Sequence, residues 1–210
     1  MPIPCSTNGQ PKRNAMRRSS SSAIKLLFWA AGLPVSAIVS CTDSEETFPN
    51  VVTQMAEVST EPNGRLSRML TDDGASFHIL NELYAGKTRA TYRMLCNYVV
   101  EPEGVTLMGT SGVWVLRPDE KPQKTLPLTI VSAWKGGRYV NLHLQYMRKS
   151  ARHTITLSQD SVADGITYLT IHHPWVNDVQ AWTVDDYASI PLEEFPTHHI
   201  MINKKYEFER

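Results

Sequence analysis

The chain has 210 residues, of which 41% are hydrophobic, with 21 basic and 21 acidic side chains. That length suits one large domain or two small ones, and that apolar share suits a packed core and excludes a disordered chain. Five basic residues (Lys12, Arg13, Arg17, Arg18 and Lys25) and no acidic ones precede Cys41. The remainder holds 16 basic against 21 acidic residues, a net charge of about −5 that argues against a nucleic-acid binder.

Residues 1–40 read as an N-terminal extension followed by a signal peptide. Met16 opens a stretch with Arg17, Arg18 and Lys25 as its basic start and an uncharged apolar run from Leu26 to Val39, so Met16 is expected to be the true start. That run is shorter than the roughly 20 residues that span a bilayer. The string "IVSC" (Ile38–Cys41) resembles a bacterial lipobox, which implies cleavage before Cys41 and lipidation of its thiol. Two or three acyl chains anchor stably where one does not. The acidic run that follows, "TDSEETFPN", gives a tether over residues 41–50. It also resembles the export signal of surface-displayed lipoproteins in the Bacteroidetes, so the expected location is the outer membrane, facing outward or otherwise the periplasm. Of the other cysteines, Cys5 leaves with the leader, and Cys96, in an alternating apolar run, reads as a buried, inert thiol.

From Val51 onward the pattern alternates with period two. "VVTQMAEV", "LSRML", "SFHIL", "TRATYRMLCNYVV", "GVTLMGTSGVWVL", "LPLTIVSAW", "RYVNLHLQYM", "HTITLSQD", "ITYLTIHH", "VQAWTVDDY" and "HHIMINKKY" each predict a strand. Turns are expected at Pro62–Gly64, Asp72–Gly74, Glu101–Gly104, Gly136-Gly137, Asp164-Gly165 and Pro174. Asp73-Gly74 and Asp164-Gly165 suit tight hairpins with positive φ. Only "HILNELYAG" could form a helical turn or two. This spacing of strands and turns predicts an all-β sandwich or barrel. The charged, proline-containing stretch from Arg117 to Lys124 marks a domain boundary, giving domains over 51–117 and 125–210 with a linker at 118–124.

Several strings together resemble the NigD-like family of Bacteroidetes lipoproteins. They are the early Asp72-Asp73-Gly74 hairpin, Arg89-Ala90-Thr91-Tyr92 leading into a strand, the proline-rich hinge, and the strand Asn141–Tyr146. The likeness covers about residues 47–208. It implies a small OB-type β-barrel followed by a β-sandwich. The family name comes from a bacteriocin-associated locus, which implies an immunity-type role. The resemblance supplies no catalytic residues and no cofactor.

Candidate chemistry is sparse. His172-His173 and His198-His199 are adjacent pairs, and neighbours on a strand face opposite sides, so each pair offers at most one ligand per face. A zinc site would need His143, His172 and His198 to come from neighbouring strands. Asp72-Asp73 and Asp185-Asp186 could act as acid and base, or hold calcium. Against that, Asp before Gly is ordinary turn chemistry. "GTSGVW" lacks the nucleophile-elbow pattern, and no phosphate-binding glycine loop is present. Aromatic residues on or beside strands are the better candidates, with Trp134, Tyr139 and Trp175 the expected ligand contacts. The function expected from the sequence is therefore a lipid-anchored, monomeric binding module for a protein, peptide or glycan, without enzymatic activity or cofactor. The alternatives are a metal-dependent hydrolase built on the histidine and aspartate pairs, or a structural accessory lipoprotein.

Overall fold

The computed structural model describes residues 49–210. The expected signal peptide, Cys41 and most of the expected tether lie outside them. Residues Glu46–Arg210 form one compact unit.

The first five strands are β1 (Val51–Thr60), β2 (Leu66–Thr71), β3 (Ser76–His78), β4 (Thr91–Glu101) and β5 (Gly104–Gly112). They form one sheet in the order β3-β2-β1-β4-β5. Its two edges curl toward each other. Ile79, just past β3, makes a parallel bridge to Val105 in β5, and Leu80 N–H donates to the Val105 carbonyl at 2.9 Å. The Asn81 side chain then bonds both backbone groups of Leu107. Gly104 makes this approach possible, because a Cβ there would strike the His78 carbonyl. A single bridge, rather than a full ladder, joins the edges of the expected OB-type barrel. Its interior holds Ala56, Val58, Met69, Cys96 and Val105, none more than 0% exposed. Burial pushes the Cys96 thiol up to about 11, as an inert core thiol requires.

Eight strands follow: β6 (Trp114–Val115), β7 (Thr129–Gly136), β8 (Tyr139–Arg148), β9 (Thr156–Ala163), β10 (Ile166–His172), β11 (Trp182–Pro191), β12 (His199–Ile202) and β13 (Tyr206–Glu209). They build two four-stranded sheets, β6-β11-β8-β7 and β13-β12-β10-β9. Alternate residues Val140, Leu142, Leu144 and Tyr146 of β8 pack against Leu157, Leu169, Ile171, Ile200 and Ile202 of the other sheet. The expected all-β class with a β-sandwich domain is what the chain adopts.

The turns follow local chemistry. Asp164 and Gly165 both have positive φ (51° and 77°), as a two-residue hairpin of that sequence demands. "HHIMINKKY" is not one strand. Asn203 and Lys204 take φ of 50° and 55°, folding it into the β12–β13 hairpin. Asparagine tolerates this region better than most residues, and here its side chain also accepts a bond from Ile171 N–H at 2.9 Å. "GVTLMGTSGVWVL" also divides. The chain leaves the first sheet at Val113, and β6 pairs in parallel with β11. Leu116 joins the sandwich core, and Pro118 bridges Leu157. "HILNELYAG" forms no helix; the only helical residues among those described are a 3-10 turn at Leu192–Glu194.

Candidate functional site

Barrel and sandwich meet through a buried polar cluster. Glu57 and Arg93 are cross-strand partners on β1 and β4, on the face of the barrel sheet that turns away from its own core. Asn141 and Ser189 are partners on β8 and β11 and are 0% exposed. Their side of the sandwich would face solvent but for the barrel. Arg93 joins the two. Its guanidinium grips the Asp72 carboxylate with two contacts of 2.6 and 2.7 Å, and donates to Asn141 Oδ1 at 2.9 Å and to Ser189 Oγ at 3.1 Å. Asn141 Nδ2 donates to the same Asp72 carboxylate, and Ser189 Oγ donates to Asn141 Oδ1, each at 2.7 Å. A bidentate arginine–carboxylate pair is a strong, directional contact.

Gly136 and Gly137 leave the space that Asp72 fills. A Cβ on Gly136 would overlap the Asp72 carboxylate and the Asn141 amide, and Gly137, at φ 55°, lies against the Asp72 backbone.

Tyr139 belongs to this seam. The Arg93 guanidinium lies 4.1 Å over its ring, and its hydroxyl donates to Glu57 Oε1 at 2.7 Å. Burial alone would raise the Glu57 carboxyl, but hydrogen bonds from Tyr139 and Arg138 outweigh it and hold the group below its usual range. Tyr139, expected as a ligand contact, is 8% exposed; its ring and hydroxyl join the two halves, and it also lines a small cavity with Leu70, Gly74 and Arg138. Trp134, 37% exposed, lines a shallow cleft beside the same seam with Gln54, Leu95 and Asp73.

The histidines do not converge. His143 bonds Asp185 at 2.7 Å and stacks on Tyr187. His172 lies on β10 in the other sheet and bonds Ser158 at 2.8 Å. His198 is exposed just before β12. Among the described residues no group of three or more His, Cys, Asp or Glu could hold a metal ion. The zinc alternative through His143, His172 and His198 therefore has no site there. The carboxylate pairs separate as well. Asp72 belongs to the seam and Asp73 to its own turn, while Asp185 faces His143 and Asp186 accepts from Trp114 and Tyr146.

Sequence reasoning missed a Ser–His–Asp grouping at Ser158, His172 and Asp160. Its geometry is unsuited to nucleophilic catalysis. Asp160 accepts from Ser158 at 3.0 Å and from Thr170 at 2.5 Å instead of orienting the imidazole. With its proton on Asp160, Ser158 can only accept from His172, and it is 4% exposed.

Trp175, 56% exposed, stands at the open end of the sandwich. Tyr146 lies on the core side of β8, and two residues on, the register places Arg148 on that side with Trp182 of β11 opposite it. From the facing sheet, Leu169, Ile171 and His173 alternate inward, and Trp175 follows with the same parity. Trp175 thus follows β10 and Trp182 opens β11, strands of opposite sheets, and the segment that carries Trp175 pairs with residues 124–126. Beneath them Tyr146 packs on His173 and His153, with ring centroids 4.5 and 5.6 Å away. Burial and the nearby Asp186 push the Tyr146 hydroxyl up to about 12.

A chain of bonds ties the two loops of this end together. His173 Nδ1 donates to the Pro127 carbonyl at 3.1 Å, leaving Nε2 to accept from His153 Nδ1 at 2.7 Å. His153 Nε2 lies 3.0 Å from Asp178. Asp178 also accepts from Lys149 N–H at 2.8 Å and Ser150 N–H at 3.2 Å. These backbone donors, then His153, hold its carboxyl well below the usual range. Adjacent His172 and His173 do face opposite sides, as their positions on a strand require.

Comparison with known proteins supports this architecture. Residues 115–206 match the family model described as the NigD-like C-terminal beta sandwich domain. Among solved structures, a NigD-like immunity protein from Bacteroides caccae has a TM-score of 0.58 at 18% identity, covering 78% of this chain and 93% of that one. A protein of unknown function DUF1344 from Bacteroides vulgatus has a TM-score of 0.58 at 16% identity, covering 76% and 90%. A chain from Bacteroides fragilis, described as "Putative lipoprotein", has a TM-score of 0.53 at 14% identity, covering 77% and 96%. At these identities the likeness is one of fold. No curated protein matches the chain.

Proposed function

We propose, from the match of residues 115–206 to the NigD-like C-terminal beta sandwich domain, that the chain is a lipid-anchored envelope protein that binds a partner without catalysing a reaction. The observation that carries the binding role is the open end of the sandwich. Trp175, Val179 and Trp182 are 56%, 63% and 51% exposed within eight residues, and apolar exposure concentrated in this way marks interaction sites. The scattered histidines and carboxylates favour this reading over a hydrolase. Anchoring rests on the lipobox-like "IVSC" at Cys41 and on the lipoprotein-like fold relative.

The anchor is tested by metabolic labelling with palmitate. The wild-type chain incorporates label and fractionates with the outer membrane, whereas Cys41→Ala loses both; continued labelling of the variant refutes the anchor. Protease treatment of intact cells then separates the outward-facing location from the periplasmic one. The binding role is tested by comparing the partners that co-purify with the wild-type chain and with a Trp175→Ser/Trp182→Ser variant. An unchanged set refutes a role for this end. Similarity to an immunity protein fits a protein partner over a glycan.

A further inference from the structure

We propose that the open end of the sandwich docks an acidic polypeptide segment bearing an apolar anchor residue. The proposal deepens the binding reading and rests on it.

Charge is the first argument. Lys124, Arg148, Lys149 and Arg152 are all exposed, and none forms a salt bridge among the described residues. They share one locality. Trp175 N–H donates to the Lys124 carbonyl at 3.0 Å, Arg148 pairs with Trp182, and Lys149 and Arg152 sit in the loop that wraps Asp178. Asp178 is the one carboxylate of the two loops, and its side chain is 6% exposed and fully bonded. Further along β11 the next carboxylates, Asp185 and Asp186, are occupied by His143 and Gln145, and by Trp114 and Tyr146. Four unpaired cations therefore gather on a chain whose portion from Cys41 onward carries about −5. Such a patch attracts negative charge, and among the described residues no carboxylate pairs with it.

Shape is the second. Trp175 and Trp182 stand at one end of the two sheets, and Val179, 63% exposed, adds to the apolar surface there. An apolar side chain docked there would rest above Tyr146 while carboxylates on either side meet the cations. Tryptophan and arginine are among the residues that dominate protein–protein contacts. Val179 offers no hydrogen bond to sugar hydroxyls, and a neutral glycan would leave the four cations unmatched, which disfavours a glycan.

The test is selection of a displayed peptide library on residues 46–210, the compact unit that holds both cores. Selected peptides are expected to combine Asp or Glu with a central aromatic or aliphatic residue. A synthetic copy should bind at least about tenfold more weakly to Arg148→Glu/Arg152→Glu and to Trp175→Ser/Trp182→Ser, and more weakly as salt rises from about 50 to 500 mM. These positions are exposed, so both variants should keep the wild-type circular dichroism spectrum. Selected peptides without acidic residues, or acidic peptides that bind charge-reversed protein equally well, overturn the proposal. If such non-acidic peptides still lose affinity on tryptophan replacement, the binding reading stands and only the acidic partner falls. Tip-dependent sedimentation with phosphatidylglycerol vesicles, without peptide binding, overturns it in favour of a membrane face.

Discussion

Replacing Asp72 with alanine tests whether the seam is what makes the barrel and the sandwich one cooperative unit. The Arg93 side chain is 2% exposed and Asp72 13%, so the substitution strands a cation away from water. Breaking a buried pair by removing one partner costs about 3–5 kcal/mol. Arg93 keeps Asn141, Ser189 and the face of Tyr139, which places the expected loss near the lower end, about 3 kcal/mol. For a unit of this size each kcal/mol lowers Tm by about 2–4 °C, giving a drop of about 6–12 °C. The readout can resolve the two halves separately, because Trp114, Trp134, Trp175 and Trp182 all lie in the sandwich. Intrinsic tryptophan fluorescence therefore follows the sandwich, while far-ultraviolet circular dichroism follows both. In urea the wild type should show coincident transitions, and Asp72→Ala should separate them as well as shift them. Arg93→Met combined with Asp72→Ala should recover part of the loss, since no charge is then stranded. A shift below about 1 kcal/mol with coincident transitions, or additive effects in the cycle, would refute the reasoning.

Gly136→Ala forces a Cβ into the Asp72 carboxylate and Asn141 amide; a loss of about 1–3 kcal/mol in urea unfolding is expected, and an unchanged midpoint would show that the seam yields freely. The Cys96 thiol, 0% exposed and raised to about 11, should resist Ellman's reagent at pH 8 until the protein is denatured, so rapid labelling of native protein would contradict its burial. Burial, and for His172 the nearby Lys121, depress the ring pKa of His172 and His173 in the fold. The unfolded chain then binds more protons below about pH 6.5, so the stability these rings contribute is present above that pH and lost as pH falls through it. The urea midpoint should drop between pH 7.5 and 5.5, with a smaller drop in His172→Gln; an equal drop in that variant removes His172 from the account.

Strand positions were legible because period-two burial and turn residues are local properties. Asp164-Gly165 declares its hairpin in two letters, whereas Asn203-Lys204 does not, since lysine at positive φ is allowed there by its surroundings and not by its own preference. The seam was harder to see. Asp72, Arg93, Asn141 and Ser189 come from a hairpin and three strands, and nothing local says that the outer side of β8 is covered. The available signal was polar residues in runs that are otherwise apolar, namely Arg93 in "TYRMLC" and Asn141 in "YVNLHL". Two of the strings that carry the family likeness, Asp72-Asp73-Gly74 and Asn141–Tyr146, supply members of this cluster, and Arg93 directly follows a third. The part Tyr139 plays in the seam was not legible, because a strand aromatic next to a glycine turn looks the same whether it faces ligand, solvent or a second domain. The open end was half legible. Trp175 stood out after Pro174, but its counterpart Trp182 lies on another sheet, and only the register brings Arg148 beside it.

The glycine pair at 136–137 also has a consequence for recombination. Asp72 fills the room that two missing side chains leave, so a sandwich of this kind accepts only a barrel whose first hairpin offers a carboxylate at that height, and an arginine behind it. A barrel grafted from another chain without that pair would leave Asn141 and Ser189 facing an unfilled polar hollow. A sandwich with side chains at 136 and 137 would hold this barrel at a distance. Chimeras that exchange the halves should assemble only when both sides of this fitting travel together.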